Sequence, residues 1–102
     1  MKVPAHRIEY SPETEEHLAW LTVRQAATVM DTVERQLRHQ PTVAARNRKL
    51  LRANPMAPWE LRIGDLRVYY EVRVAPERVV VIKAIGLKER SRVRIGGEEV
   101  EL

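Results

Sequence analysis

Arg62 and Arg67 stand in the stretch "WELRIGDLRVYYEV", residues 59–72, which also holds Glu60, Asp65, Tyr69 and Glu71. If the chain reverses at Gly64-Asp65, the two guanidiniums face each other across a pair of strands. Facing cations repel by up to about 1 kcal/mol on an exposed sheet surface, so something must offset them. Glu60, Asp65 and Glu71 could do so as an ordinary surface network. The other reading is an anion receptor, because paired guanidiniums form a fork of donors matched to phosphate oxygens. Contacts of that kind position a nucleic acid strand without reading its bases. Tyr69 is the phenol among these charges. It could stack on a base, give up a proton if neighbouring cations lower its pKa, or pack across the strands on Glu60.

Two more basic groups could join this pair. "LKERSRVR" carries Lys88, Arg90, Arg92 and Arg94, and "ARNRKLLR" carries Arg46, Arg48, Lys49 and Arg52. A run of charge is usually a solvated face, so its meaning depends on whether these residues share a surface with Arg62 and Arg67. The chain has 18 Lys and Arg against 14 Asp and Glu, a formal charge of +4, which favours an anionic partner, either nucleic acid or an acidic protein segment. His6, His17 and His39 fall outside the basic stretches and show no metal-ligand spacing. There is no phosphate-binding glycine loop, no G-x-S-x-G and no H-E-x-x-H, and without cysteine there is no disulfide or thiolate site. No metal or cofactor is expected.

The elements that position these residues follow from pattern and punctuation. A length of 102 residues fits one small domain. "KVPAHRIEY" alternates as a first strand with Val3, Ala5, Ile8 and Tyr10 inward. Ser11 is the expected N-cap of a first helix starting at Pro12, with Glu13, Glu15 and Glu16 near the positive end of its dipole. Thr22 is placed to cap a second helix that runs until Pro41, with Ala26, Val29, Met30, Val33 and Leu37 as its apolar stripe. Residues 41–58 are proline-punctuated and read as a loop with at most a short helical turn, long enough to suggest a binding role or a solvated connector.

Glycine first in a two-residue turn predicts type II′ geometry at Gly64-Asp65. That register sets Ile63 against Leu66, Arg62 against Arg67, Leu61 against Val68, Glu60 against Tyr69 and Trp59 against Tyr70. Alternation then sends Trp59, Leu61, Ile63, Leu66, Val68, Tyr70 and Val72 to the helix-covered side. Arg62, Arg67, Tyr69 and Glu71 take the other. "RVVVIKAIG", residues 78–86, reads as a central strand after the link "VAPE", and "RVRI-GG-EEVEL" as a possible C-terminal hairpin. No apolar run approaches the roughly 20 residues that cross a bilayer, and "MKVPAHRIEY" has no apolar stretch of signal-peptide length, so a cytoplasmic protein without a membrane is expected.

This order, strand, helical hairpin, then antiparallel strands (βααβββ), resembles the RelE/ParE superfamily of type II toxin–antitoxin toxins. The resemblance spans nearly the whole chain and is carried most specifically by "WELRIGDLRVYYEV" and the β-branched strand ending in glycine. It implies an α+β domain and a cognate acidic antitoxin. It also implies one of two targets, ribosome-bound mRNA cut without a metal, or DNA gyrase blocked by binding. A decayed member that only holds its antitoxin is a further reading. In the cleaving branch the resemblance assigns phosphate contacts to Arg67 and Lys88; the charge pattern itself adds Arg62 beside them, with Arg94 assisting, and Arg46, Arg48, Lys49, Arg52, Arg90 and Arg92 as further nucleic-acid contacts. The resemblance puts Arg94 where RelE-like cleavers carry a tyrosine, and Pro58 and Glu60 where potent cleavers carry lysines. Arginine holds charge but shuttles no proton, which leaves Glu60 and Tyr69 as the candidate proton carriers.

Overall fold

A computed structural model describes residues 5–51 and 57–100. The first strand, β1 (Arg7–Tyr10), leads into α1 (Glu13–Ala19) and α2 (Val23–Leu37). Six strands follow: β2 (Arg48–Leu50), β3 (Trp59–Ile63), β4 (Leu66–Arg73), β5 (Val79–Glu89), β6 (Arg92–Ile95) and β7 (Glu98–Val100). The class is α+β, with two helices and an essentially antiparallel sheet in the order β2-β3-β4-β5-β6-β7. Two departures from the expected order matter. The proline-rich 41–58 segment contains β2, and β1 pairs in parallel with the first half of β5, Arg7 opposite Val79 through Tyr10 opposite Ile82. β6 takes the same edge of β5 further along, from Gly86 to Glu89.

The local causes are visible at the helix ends. Pro12, not Ser11, occupies the N-cap of α1, and the Ser11 hydroxyl instead donates to the Lys83 carbonyl (3.4 Å). Thr22 caps α2 as expected. Its hydroxyl accepts from the Gln25 N–H at 3.0 Å, while the Gln25 side chain accepts from the Thr22 N–H at 2.9 Å, a reciprocal capping box. From α2, Val29, Val33 and Leu37 are fully buried against Leu61, Leu66, Val68, Tyr70, Val80, Ile82 and Ile85. Met30 is 47% exposed and stands outside this stripe, with Thr32 buried in its neighbourhood of the helix. Ala5 is exposed, whereas Ile8 and Tyr10 pack on the core; Val3 lies outside the described residues.

The β3–β4 hairpin has the expected register throughout, including Arg62 opposite Arg67 and Glu60 opposite Tyr69. Gly64 has φ +59° and Asp65 is not in the left-handed region, as a type II′ turn requires. Trp59 stacks on its partner Tyr70 with ring centres 6.2 Å apart. Between β4 and β5 the pairing slips: Tyr69 faces Ala84 but Tyr70 faces Ile82, so Lys83 is an extra residue. This bulge lets Val80 and Ile82, then Ile85 and Leu87, all face the helices despite their uneven spacing. Val79, Val81 and Ala84 are buried as well, so β5 is apolar on both faces, which is why "VVVIKAI" reads as a near-continuous apolar run.

Candidate functional site

The sheet surface away from the helices is built from residues that alternate with the core. Arg62, Arg67, Gly86 and Ile95 lie in one cross-strand row, and Lys49, Glu60, Tyr69 and Ala84 in the next. The C-terminal hairpin curls over part of this surface. A Cβ on Gly86 would stand 2.6 Å from the Arg94 carbonyl oxygen and 2.8 Å from side-chain carbons of Val93 and Ile95. The absent side chain therefore admits β6, and Tyr69, Ala84 and Ile95 form a second small apolar cluster with Ala57, Val93 and Val100.

What remains open is a cleft of about 350 Å³ lined by Glu60, Arg62, Arg67, Tyr69, Lys88 and Arg92, with Ser91, Val93 and Val100 at its margin. Each facing arginine has found a partner. The Arg62 Nε donates to Glu60 at 2.6 Å, an ion pair whose carboxylate is 8% exposed and whose guanidinium is 44% exposed. Arg67 is 7% exposed and its Nη1 donates to the carbonyls of Gly64 (2.6 Å) and Leu66 (2.9 Å). It braces the turn while its charge stays beside the cleft. Of the carboxylates near in sequence, Glu60 serves the pair, whereas Glu71 binds Arg73 at 2.7 Å. Lys88 reaches the cleft from β5, its position fixed by its N–H donating to the Asp65 carbonyl (2.7 Å).

Tyr69 is fully buried and its hydroxyl makes no hydrogen bond of acceptable geometry among the described residues. Its pKa moves up, not down. Burial contributes most and the nearby Glu60 carboxylate adds to it, and together they outweigh the opposing charges of Arg67 and Arg62. The phenol stays protonated and can donate a hydrogen bond, but it is a poor proton acceptor.

The remaining basic residues divide. Lys49 faces Glu60 and belongs to the open surface. Arg48 sits on the helix side, where it donates to the Val43 carbonyl (3.1 Å). Arg46 is exposed before β2, and Arg52 lies outside the described residues. Arg90 occupies the tip between β5 and β6 with φ +57°, a strained conformation for a side chain with a Cβ. Arg92 lines the cleft while paired to Glu99 at 2.7 Å. Arg94 is not part of this site. Opposite Leu87, it projects to the helix side and lies 3.4 Å from Glu89 and 3.7 Å from Glu99. Alternation on β6 forces this, because Val93 and Ile95 take the open side. The sequence reading missed Gly86, Val93 and Val100 as residues that shape the site; the alternation of the last hairpin is the signal that points to Val93 and Val100.

Among the described residues no group of three or more His, Asp or Glu is placed to hold a metal, and no helix is long and apolar enough to cross a membrane. The fold and site thus define a small α+β protein whose solvent-facing sheet surface gathers cations around an enclosed Glu60–Tyr69 pair. Compared with protein-family models and with curated proteins, the chain finds no match in either.

Proposed function

We propose that the protein is a cytoplasmic toxin of the RelE/ParE type, neutralised by an acidic antitoxin, that stops translation by holding ribosome-bound mRNA on its open sheet face. The observation that carries this reading is the convergence of Arg62, Arg67 and Lys88 in one cleft. Arg62 and Lys88 supply donors and charge for a phosphodiester, and Arg67 adds charge from its buried position. If the bound strand is cut, a ribose 2′-OH attacks the adjacent phosphate, the P–O5′ bond breaks to leave a 2′,3′-cyclic phosphate and a 5′-hydroxyl end that takes its proton from solvent, and these cations stabilise the added negative charge. Glu60 is then the proton acceptor, released from Arg62 as the guanidinium turns to the phosphate, and Tyr69 donates a hydrogen bond. Binding is better supported than cutting, because Glu60 is enclosed and Arg94 lies on the opposite side. Primer extension on translated transcripts after induction tests the reading: new 5′ ends within open reading frames support cleavage, and stalled ribosomes on intact transcripts support binding alone. Uninhibited translation on induction rejects both.

The second reading, a ParE-type block of DNA gyrase, is favoured by the same protonated phenol and enclosed carboxylate, since a contact inhibitor needs no proton carrier. Inhibition of supercoiling by purified protein supports it, and unaffected gyrase removes it.

A further inference from the structure

Arg94 is displaced from the basic face into a second cleft, and that cleft has the composition of a base-binding site. It measures about 320 Å³ and lies between the helical hairpin and the last strands. Trp20, at the end of α1, is 65% exposed and forms a wall. A Cβ on Gly97 would stand 2.7–2.9 Å from three atoms of the indole benzo ring, so only glycine lets the β6–β7 turn brace that ring. Leu21, Ile85 and Leu87 provide apolar surface, and Glu89 and Arg94 stand side by side among the lining residues. His17 completes the lining. Its Nδ1 accepts from the Ile85 N–H at 3.3 Å, which leaves Nε2 as the protonated nitrogen of the neutral ring.

This cleft is linked to the basic face through shared lining residues. The open-face cleft ends at Ser91 and Arg92, which also line a depression at the β5–β6 tip together with Glu89, Arg90 and Glu99. Glu89 in turn belongs to the Trp20 cleft. We propose that a single strand held by its phosphates on the open face passes around this tip and places a guanine base in the Trp20 cleft. The inference rests on the nucleic-acid reading above and adds a base preference to it. An exposed indole offers a stacking surface to any base. The side-by-side carboxylate and guanidinium select among bases, because the guanine edge offers the N1–H and N2–H donors to Glu89 and the O6 acceptor to Arg94. Adenine offers neither that donor pair nor that acceptor. Arg94 retains its contacts with Glu99 and the Gly97 carbonyl (3.4 Å), which fix the guanidinium at the rim.

The test uses the nucleosides guanosine and adenosine, which carry no phosphate, titrated against the Trp59→Phe protein so that Trp20 is the remaining fluorophore of the two tryptophans. Guanosine should quench Trp20 saturably, with adenosine weaker by roughly tenfold or more. Glu89→Gln should erase the preference, and Trp20→Leu in the otherwise unchanged chain should abolish guanosine binding measured by calorimetry. Circular dichroism confirms that each variant is folded. Equal binding of the two nucleosides, or no saturable response from folded protein, overturns the site and leaves a protein side chain as the occupant to examine. Guanosine binding without binding of single-stranded RNA keeps this site and overturns the function proposed above. RNA binding unaffected by Trp20→Leu or Glu89→Gln overturns this site alone.

Discussion

Arg67 and Lys88 are cations of the same cleft, yet burial gives them different work. The Arg67 guanidinium is enclosed and satisfies two turn carbonyls, so Arg67→Gln should cost about 1–3 kcal/mol of stability, read as a lower urea midpoint. Lys88 is exposed and makes no ion pair among the described residues, so Lys88→Gln should change stability by less than about 0.5 kcal/mol while weakening RNA binding. The facing of Arg62 and Arg67 was legible because a glycine-led turn fixes register. The burial of Arg67 was not, because it depends on how the turn carbonyls and the distant C-terminal hairpin close around it. Tyr69 makes the same point: neighbouring cations suggested an acidified phenol, but burial and Glu60 dominate. His17 gives the pH dependence. Burial holds its imidazole below the ordinary histidine range, against the opposing charges of Glu16 and Glu13. The unfolded chain therefore takes up the proton first as pH falls, so stability is full above about pH 6.5 and declines as pH drops through the folded value. Urea midpoints measured across that range should fall with acid, and His17→Gln should flatten the slope.

At the scale of elements, two features of β5 decide the architecture. The Lys83 bulge keeps apolar residues facing the helices on both sides of it, and Gly86 lets β6 fold close. Strand propensity alone favours valine over glycine by up to about 1 kcal/mol. At Gly86 the close approach of a backbone carbonyl should reverse that, and Gly86→Val is expected to destabilise by about 1–3 kcal/mol. Hydrogen exchange should show the weakening concentrated in β6 and β7; uniform protection, or a gain in stability, would show that the close approach is not limiting. The helices and the β3–β4 hairpin were legible because caps, period and turn chemistry agreed. β2 was hidden by the prolines around it, and it forms because β3 offers a free edge to Arg48–Leu50. The outward position of Met30 was hidden because spacing alone admits it to the stripe.

Over the whole molecule, charge is segregated by the sheet. The open face presents Lys49, Arg62 and Lys88, whereas the helix side pairs Arg94 with Glu89 and Glu99. The chain's surplus of +4 therefore understates the local field at the cleft, and a bound strand should be held chiefly by phosphate neutralisation. Glu99 pairs with Arg92 and Arg94, so it offsets the Arg92 charge at the cleft and leaves Arg62 and Lys88 to a phosphate. The most direct measurement is the salt dependence of binding to a short single-stranded RNA, compared between the natural chain and the Arg62→Gln/Lys88→Gln variant. Removing one phosphate-neutralising cation should reduce the slope of log affinity against log salt by about 0.7. A steep slope is expected for the natural chain and a slope shallower by about 1.4 for the folded variant, with weaker binding at low salt. The same affinity and slope in both proteins would contradict a phosphate grip at this cleft.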